Sequence, residues 1–134
     1  MTLRRLSVVQ WIGVVVAPLA WTGQHVVGYG VGQARCSVGG MNWGIGFDTW
    51  QLAILAAAGL LILISEAAAV TVFIATRGTN YGDGPTGEGR WAGTVPHTRI
   101  HFFATAAMVA NVLFLTVVLV DGLASVFDSL CAQS

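Results

Sequence analysis

The sequence predicts an all-α integral membrane protein with three transmembrane helices, and three observations support that prediction. Apolar residues make up 55% of the 134 residues and charged residues only 9%, too few to cover a water-soluble globule of this size. The apolar residues fall into three runs, each with at least the roughly 20 residues that cross a bilayer. Glycine-rich or charged segments separate the runs. Three spans nearly exhaust the chain, so we expect one membrane domain over residues 1–134 and no separate catalytic domain.

The first apolar run covers residues 6–31 and follows Arg4 and Arg5. A charged start before an apolar run also describes a secretory signal peptide, but this run exceeds the roughly 7–15 apolar residues of a signal sequence. We therefore expect a retained helix. Gly28 and Gly32 form a GxxxG pair, a spacing that allows two membrane helices to approach closely.

The first predicted loop covers residues 32–49, where glycines alternate with tryptophan and phenylalanine. Glycine weakens regular structure, and tryptophan favours the membrane interface. The second run, residues 50–76, is mostly Ala, Leu, Ile and Val and contains one acidic residue, Glu66. Small residues along this run offer further close helix contacts: Ala53, Ala57, Ser65 and Ala69.

The second predicted loop covers residues 77–99. Six glycines and two prolines lie between residues 78 and 98, and we expect neither helix nor strand there. The third run, residues 100–126, is interrupted by Asn111 and Asp121.

The arginines predict the orientation in the membrane. Five of the six lie at the N-terminus or at and within residues 77–99, and Arg35 alone lies on the other side of a three-span arrangement. The positive-inside rule then places the N-terminus in the cytoplasm and the C-terminus outside, as in a multi-pass protein of the bacterial inner membrane. The zero net charge and the dispersed arginines argue against nucleic-acid binding.

The chain has two cysteines, Cys36 and Cys131, and this orientation places both outside. Their spacing of about 95 residues matches no metal motif. Redox catalysis is disfavoured because it uses closely spaced cysteines. We expect the two residues to form a disulfide.

Glu66 and Asn111 lie at nearly the same predicted depth. Glu66 precedes Arg77 by 11 residues and Asn111 follows Arg99 by 12, which places them about 16 and 18 Å from one membrane face. We expect a hydrogen bond between the two side chains. Two interpretations of Glu66 stay open: an uncharged carboxylic acid that holds helices together, or a proton-relay group or quinone contact.

The other polar residues of the runs lie near the predicted interfaces. Gln24, His25 and Asp121 lie at the outer ends, where His25 and Asp121 can form an ion pair, and His101 lies at the inner end. A haem between two histidines needs both at one depth, and most of the bilayer separates His25 from His101. We expect no metal site and no cofactor bound by this chain alone.

Two segments carry a resemblance to a known group of proteins. One is Ala17-Pro18-Leu19-Ala20-Trp21, continuing through Gln24 and Tyr29 to Cys36, and the other is Arg99-Ile100-His101-Phe102-Phe103 with Asn111, Phe114 and Cys131. They resemble the first and last helices of small uncharacterised three-helix membrane proteins associated with bacterial haem-copper cytochrome oxidases. The resemblance implies an accessory subunit of a terminal oxidase or respiratory supercomplex.

Three functions follow as hypotheses. The first is a non-catalytic accessory subunit that packs against larger respiratory subunits and lipids, with any quinone or haem held by its neighbours. The second is a quinone- or proton-handling subunit that uses Glu66. The third is a small homo-oligomeric transporter or channel. No P-loop, HExxH, GxSxG or CxxC motif occurs, so we expect no enzyme activity from the chain by itself.

Overall fold

The computed structural model describes residues 3–36, 44, 46–77 and 91–127, and of residues 3, 35, 91–98, 126 and 127 it describes only the backbone. Three α-helices make up nearly all of this: α1 (Leu3–Cys36), α2 (Phe47–Thr76) and α3 (Trp91–Phe127). Within them, Arg4–Ala34, Phe47–Thr76 and Arg99–Ser125 are each long and apolar enough to cross a membrane. The predicted helical class with three candidate spans is therefore confirmed for the described residues.

The helices extend beyond the predicted apolar runs because hydropathy marks the lipid-exposed length of a helix and not its polar ends. α1 continues to Cys36, and α2 begins at Phe47, so both helices enter the predicted loop 32–49. The prediction of neither helix nor strand between residues 78 and 98 is wrong for residues 91–98, which are helical. Pro96 is the sixth residue of α3, past the first turn, so its missing N–H removes one backbone hydrogen bond from the helix.

Each helix contacts the other two along a narrow buried face. The buried positions of α2 recur at intervals of three and four residues, with one interval of seven: Gln51, Ala58, Ile62, Ser65, Ala69, Val72 and Thr76. A mean spacing near 3.5 residues is the pattern of left-handed coiled coils. Many of these side chains are small, which allows the helix backbones to approach closely.

Two apolar clusters lie along the bundle, one on each side of its middle. The first consists of Ala17, Ala20, Ala58, Ile62 and Val118, and the second consists of Leu6, Val72 and Ala104. Large apolar side chains elsewhere on the helices point outward, as in Leu19 and Phe102, which are 65% and 67% exposed. Such surface suits contact with lipid and would be unfavourable in water.

Among the glycines whose surroundings the structure describes, Gly13 and Gly122 lie closest to a neighbouring helix. A Cβ added at Gly13 would lie 3.1 Å from the backbone nitrogen of Ala69, so α1 and α2 touch there through their backbones. A Cβ at Gly122 would lie 2.5 Å from Leu55 Cδ1. A larger residue at Gly13 would press against the Ala69 backbone, whereas the atoms facing Gly122 belong to the Leu55 and Gln24 side chains, which can shift.

The predicted small-residue faces are only partly used in packing within the chain. Ser65 and Ala69 are buried in the core, whereas Ala53 and Ala57 are exposed. In the predicted GxxxG pair, Gly32 is buried and Gly28 is half-buried. Residues four apart drift around a helix by about 40°, so a long series of small residues cannot stay on one face.

Candidate functional site

The middle of the bundle contains a polar cluster that joins all three helices, made of Gly13, Ser65 and Asn111. The Ser65 hydroxyl lies 3.0 Å from the Gly13 carbonyl oxygen and 3.4 Å from Asn111 Oδ1. The Asn111 amide nitrogen donates to the same Gly13 carbonyl over 3.2 Å. Both side chains are almost completely buried. Ser65 has one hydroxyl proton for these two acceptors, and this mid-bundle cluster keeps its polar groups in contact with one another and away from hydrocarbon.

The expected hydrogen bond between Glu66 and Asn111 does not form, because Asn111 lies against Ser65 and Gly13 inside the bundle, on a side of α2 that Glu66 does not share. The expected pairing used only the depth of each residue along the membrane. It did not consider which side of its helix each residue lies on. Glu66 follows Ser65 by one residue and is therefore rotated by about 100° around α2. It is half-buried, and its Oε2 atom is buried without a hydrogen-bond partner among the described residues.

One end of the bundle carries three of the predicted interfacial residues. The Gln24 amide nitrogen donates to the Val118 carbonyl over 3.2 Å, and its Oε1 atom is buried with no partner in the described part of the chain. His25 Nδ1 lies 3.3 Å from Asp121 Oδ2, so the structure brings together the two residues expected to pair. Their side chains are 63% and 45% exposed, and pairs this exposed contribute about 0–1 kcal/mol.

Gln51 makes a contact near the same end that sequence reasoning missed. Its side-chain nitrogen donates to the carbonyl of Gly28 over 3.3 Å, and the residue is 5% exposed. The sequence signal that could have identified this contact is a single polar residue at the start of an apolar run. Gly28 therefore serves as a hydrogen-bond acceptor between α1 and α2 as well as a small residue.

His101 lies towards the other end of the bundle, which we call the arginine end because Arg4, Arg77 and Arg99 are exposed there. Its Nδ1 atom is 2.9 Å from the Thr76 hydroxyl, and its ring stacks on Phe73 with 4.8 Å between centroids. The Thr76 hydroxyl also lies 2.8 Å from the Val72 carbonyl. When the Thr76 hydroxyl donates to the Val72 carbonyl, it accepts a hydrogen bond from His101 Nδ1–H. His101 thus holds α2 and α3 together.

The titratable side chains are dispersed along the described helices. His25 and His101 lie near opposite ends of the bundle, since His25 contacts Asp121 and His101 precedes Asp121 by 20 residues on α3, about 30 Å. The described residues contain no group of three or more His, Cys, Asp or Glu side chains placed to hold a metal ion. Hydrogen bonds between helices occur instead at three depths: near Gln24 and Gln51 at one end, at the mid-bundle cluster, and at His101 towards the arginine end.

The predicted disulfide involves the end of α1. Cys36, the last residue of that helix, is disulfide-bonded. Cys131 lies outside the described residues, so its pairing with Cys36 stays a prediction.

A shallow groove of about 440 Å³ lies between α1 and α2. Its walls are apolar apart from Gln24 and include Leu19, Gly23 and Ala57. From Val16 to Val27 it extends 11 residues along α1, about 16 Å, which is half of the hydrocarbon thickness of a bilayer.

Comparisons with known proteins give no assignment. No family model matches the chain, and neither a curated protein nor a solved structure shows significant similarity to it.

Proposed function

We propose that the chain is a non-catalytic accessory subunit of a larger membrane complex, which it helps to assemble and stabilise. The observation that carries this proposal is the Glu66 carboxyl, about two-thirds of the way along α2, with a buried oxygen that no described residue satisfies. An unsatisfied polar group in hydrocarbon costs several kcal/mol. The chain's own atoms shield this oxygen, so a donor on a neighbouring subunit would remove this cost once the half-buried side chain turns outward.

The other polar side chains support a structural role. Gln24, Gln51, Ser65 and Asn111 each bond a backbone carbonyl of a different helix. Groups that are committed to holding the fold together are not free to bind or transform a substrate. Lipid would cover the outward-facing apolar side chains that the partner leaves free.

The identity of the complex rests on the resemblance of the first and last helices to oxidase-associated proteins. A terminal cytochrome c oxidase or a respiratory supercomplex in the bacterial inner membrane is therefore the complex to test. Any quinone or haem would belong to the neighbouring subunits. The four exposed arginines of one bundle end, Arg4, Arg5, Arg77 and Arg99, support a cytoplasmic N-terminus and an external C-terminus.

Purification of the full chain from its native membrane in a mild detergent tests the proposal. We expect it to co-purify with haem-containing subunits in a constant ratio, measured by haem absorbance and mass spectrometry. A homogeneous homo-oligomer would instead favour a transporter or channel. A chain that leaves the membrane without any partner would contradict the proposal.

The same carboxyl favours a second candidate, a subunit that handles protons or quinone through Glu66. In that case the free oxygen would bind a proton or a quinol hydroxyl instead of a structural donor. Turnover of the intact complex after Glu66→Gln separates the two candidates.

A further inference from the structure

We infer that the cleft between α1 and α3 at the arginine end binds the phosphate of an anionic membrane phospholipid through Arg99, Ser7 and Gln10. We call these three side chains the headgroup site. The inference goes beyond the proposed function, because it names a ligand of this chain and requires no partner subunit.

The Arg99 guanidinium lies on the side of α3 that faces α1. Its central carbon is 6.0 Å from the centre of the Phe103 ring, one helical turn further along α3. Phe103 precedes Phe114 by 11 residues, about three turns, and the Phe114 ring lies 5.9 Å from the Trp21 ring of α1. The guanidinium is therefore turned towards both α1 and the membrane interior.

Ser7 and Gln10 lie on the side of α1 that faces α3. Ser7 precedes Trp21 by 14 residues and Gln10 precedes Gln24 by 14, about four turns in each case, and both Trp21 and Gln24 contact α3. The side chains of Ser7 and Gln10 are half-buried and make no hydrogen bond within the described part of the chain. They do not belong to its fully buried unsatisfied atoms, so a ligand can reach them.

The three side chains meet at one depth. Leu6 and Ala104 pack in the same apolar cluster, so their neighbours in the chain, Ser7 and Phe103, lie at one level, with the guanidinium over the Phe103 ring. Gln10 starts one turn deeper, but helical side chains tilt towards the helix N-terminus, which returns its amide to this level. Packed helices lie about 8–10 Å apart, a gap that a phosphate with donors on both sides can bridge.

The chemistry of the headgroup site suits a phosphate. All three side chains can donate hydrogen bonds, the guanidinium adds a positive charge, and phosphate oxygens only accept. The described acidic side chains are Asp48, Glu66 and Asp121, and none of them lies at the arginine end, where four arginines are exposed. A headgroup without an ammonium group fits this surplus of positive charge better than a zwitterionic one.

The surroundings of the headgroup site favour a lipid as the source of the phosphate. Trp11, next to Gln10, and Phe102, next to Phe103, are 62% and 67% exposed. Their helices are apolar enough to cross a membrane, and tryptophan favours the interface where lipid headgroups lie. The acyl chains of a bound phospholipid would cover these rings, whereas a free phosphate would leave them uncovered.

Native mass spectrometry of the purified full chain in detergent tests the inference. In titrations, the first dioleoylphosphatidylglycerol should bind at least about fivefold more tightly than dioleoylphosphatidylcholine, the effect of one arginine beside an anionic headgroup. Inorganic phosphate in excess should not displace the bound lipid, because it has no acyl chains to contact the exposed rings.

One pair of variants separates the headgroup site from the general positive charge of the arginine end. Arg99→Gln should weaken phosphatidylglycerol binding by about tenfold or more, because a hydrogen bond between charged groups is lost. Arg5→Gln removes the same charge and should have a much smaller effect. Arg5 is also exposed, but it precedes Leu19 of the α1–α2 groove by 14 residues and so lies on another side of α1.

A second pair tests the uncharged donors. Ser7→Ala and Gln10→Leu should each weaken binding by about threefold or more, through loss of one hydrogen bond to the phosphate. Thr105→Val is the matched control, since the Thr105 hydroxyl is exposed and bonds the His101 carbonyl of its own helix. Circular dichroism checks that each variant stays helical, and if Arg99→Gln does not, Ser7→Ala decides the test.

Several outcomes would overturn the inference. Equal affinity for the two lipids, or equal losses in Arg99→Gln and Arg5→Gln, would show only a general attraction of anionic lipid to the arginine end. Displacement by inorganic phosphate would assign the headgroup site to a free anion. No lipid adduct, with a photoreactive residue at Phe102 crosslinking to an acidic segment of another subunit, would make the cleft a protein contact.

Discussion

Individual polar side chains link the helices of this bundle at a few specific positions. Asn111 bonds α1 through the Gly13 carbonyl and α2 through the Ser65 hydroxyl, so one side chain fixes the relative height of three helices. Interhelical hydrogen bonds measured in membranes contribute about 0.6 kcal/mol on average. Such contacts therefore define the register of the helices more than they increase the free energy of unfolding.

Replacement of Asn111 by leucine tests this role. Leucine has a similar size but cannot bond Gly13 or Ser65, and we expect Asn111→Leu to lower the free energy of unfolding by about 1–2 kcal/mol. Denaturant titration of helicity in detergent measures the change. Thr116→Val is a matched control, since the Thr116 hydroxyl bonds only the Val112 carbonyl of its own helix. Equal effects of the two substitutions would contradict the proposed role of Asn111.

Glu66 separates the structural candidate from the catalytic one. If its role is structural, Glu66→Gln should leave the turnover of the host complex nearly unchanged, because glutamine keeps most of the hydrogen-bonding capacity. Glu66→Leu should reduce the amount of chain that co-purifies with the complex. A large loss of proton-coupled turnover in a fully assembled Glu66→Gln complex would instead assign Glu66 to proton or quinone handling.

Some of these residue contacts could be predicted from the sequence and others could not. The pairing of His25 with Asp121 followed from depth alone, because both lie near the ends of apolar runs. The pairing of Glu66 with Asn111 failed because depth does not specify a helix face. Gln51, Gly13 and Gly122 were missed for the same reason, since helices that are apolar all round carry no amphipathic signal of their buried face.

At the scale of the helices, contact between α1 and α2 depends on Gly13. The Ala69 backbone lies where a side chain at Gly13 would be, and the Ser65 hydroxyl reaches the Gly13 carbonyl across the same contact. A larger residue would separate the helices and break this hydrogen bond as well. The glycine is thus needed for packing and for access to a backbone acceptor.

Gly13→Leu should therefore lower the free energy of unfolding by roughly 1–3 kcal/mol, the typical cost of overpacking a core. Gly30→Leu on the same helix is the control, because a Cβ at Gly30 meets nothing within 4 Å. Both changes raise intrinsic helix propensity similarly, so their difference isolates the contact. The free energy of unfolding in detergent is the measurement, and a Gly13→Leu bundle as stable as Gly30→Leu would contradict the contact.

The helix ends show what hydropathy can and cannot define. It located all three apolar segments, but α3 begins at Trp91, within a segment with enough glycine and proline to predict a loop. The apolar segment that follows Arg99 nucleates the helix. A helix once nucleated extends at little cost into the adjoining polar residues. Glycine and proline content alone therefore placed the start of α3 too late.

For the whole molecule, composition and length were sufficient to predict the fold class, and they could not assign a function. Three apolar segments in 134 residues leave few alternatives to a three-helix membrane bundle. Function depends on which side chains converge, and in this chain the polar groups mostly bind other helices of the same bundle. Glu66 differs from them, because its Oε2 atom is buried without a hydrogen-bond partner among the described residues.

The orientation of the bundle can be tested directly through the loop between α2 and α3. Five of six arginines lie at the N-terminus or at and within residues 77–99, so we expect this side to face the cytoplasm. A cysteine introduced as Thr86→Cys, in a background with Cys36→Ser and Cys131→Ser, should react with a membrane-impermeant maleimide only after the membrane is opened. Thr49→Cys in the same background is the matched control, because Thr49 is exposed at the opposite end of the bundle and should react in intact cells. Labelling of Thr86→Cys from outside, with protection of Thr49→Cys, would reverse the orientation and place Arg4, Arg77 and Arg99 on the outer surface.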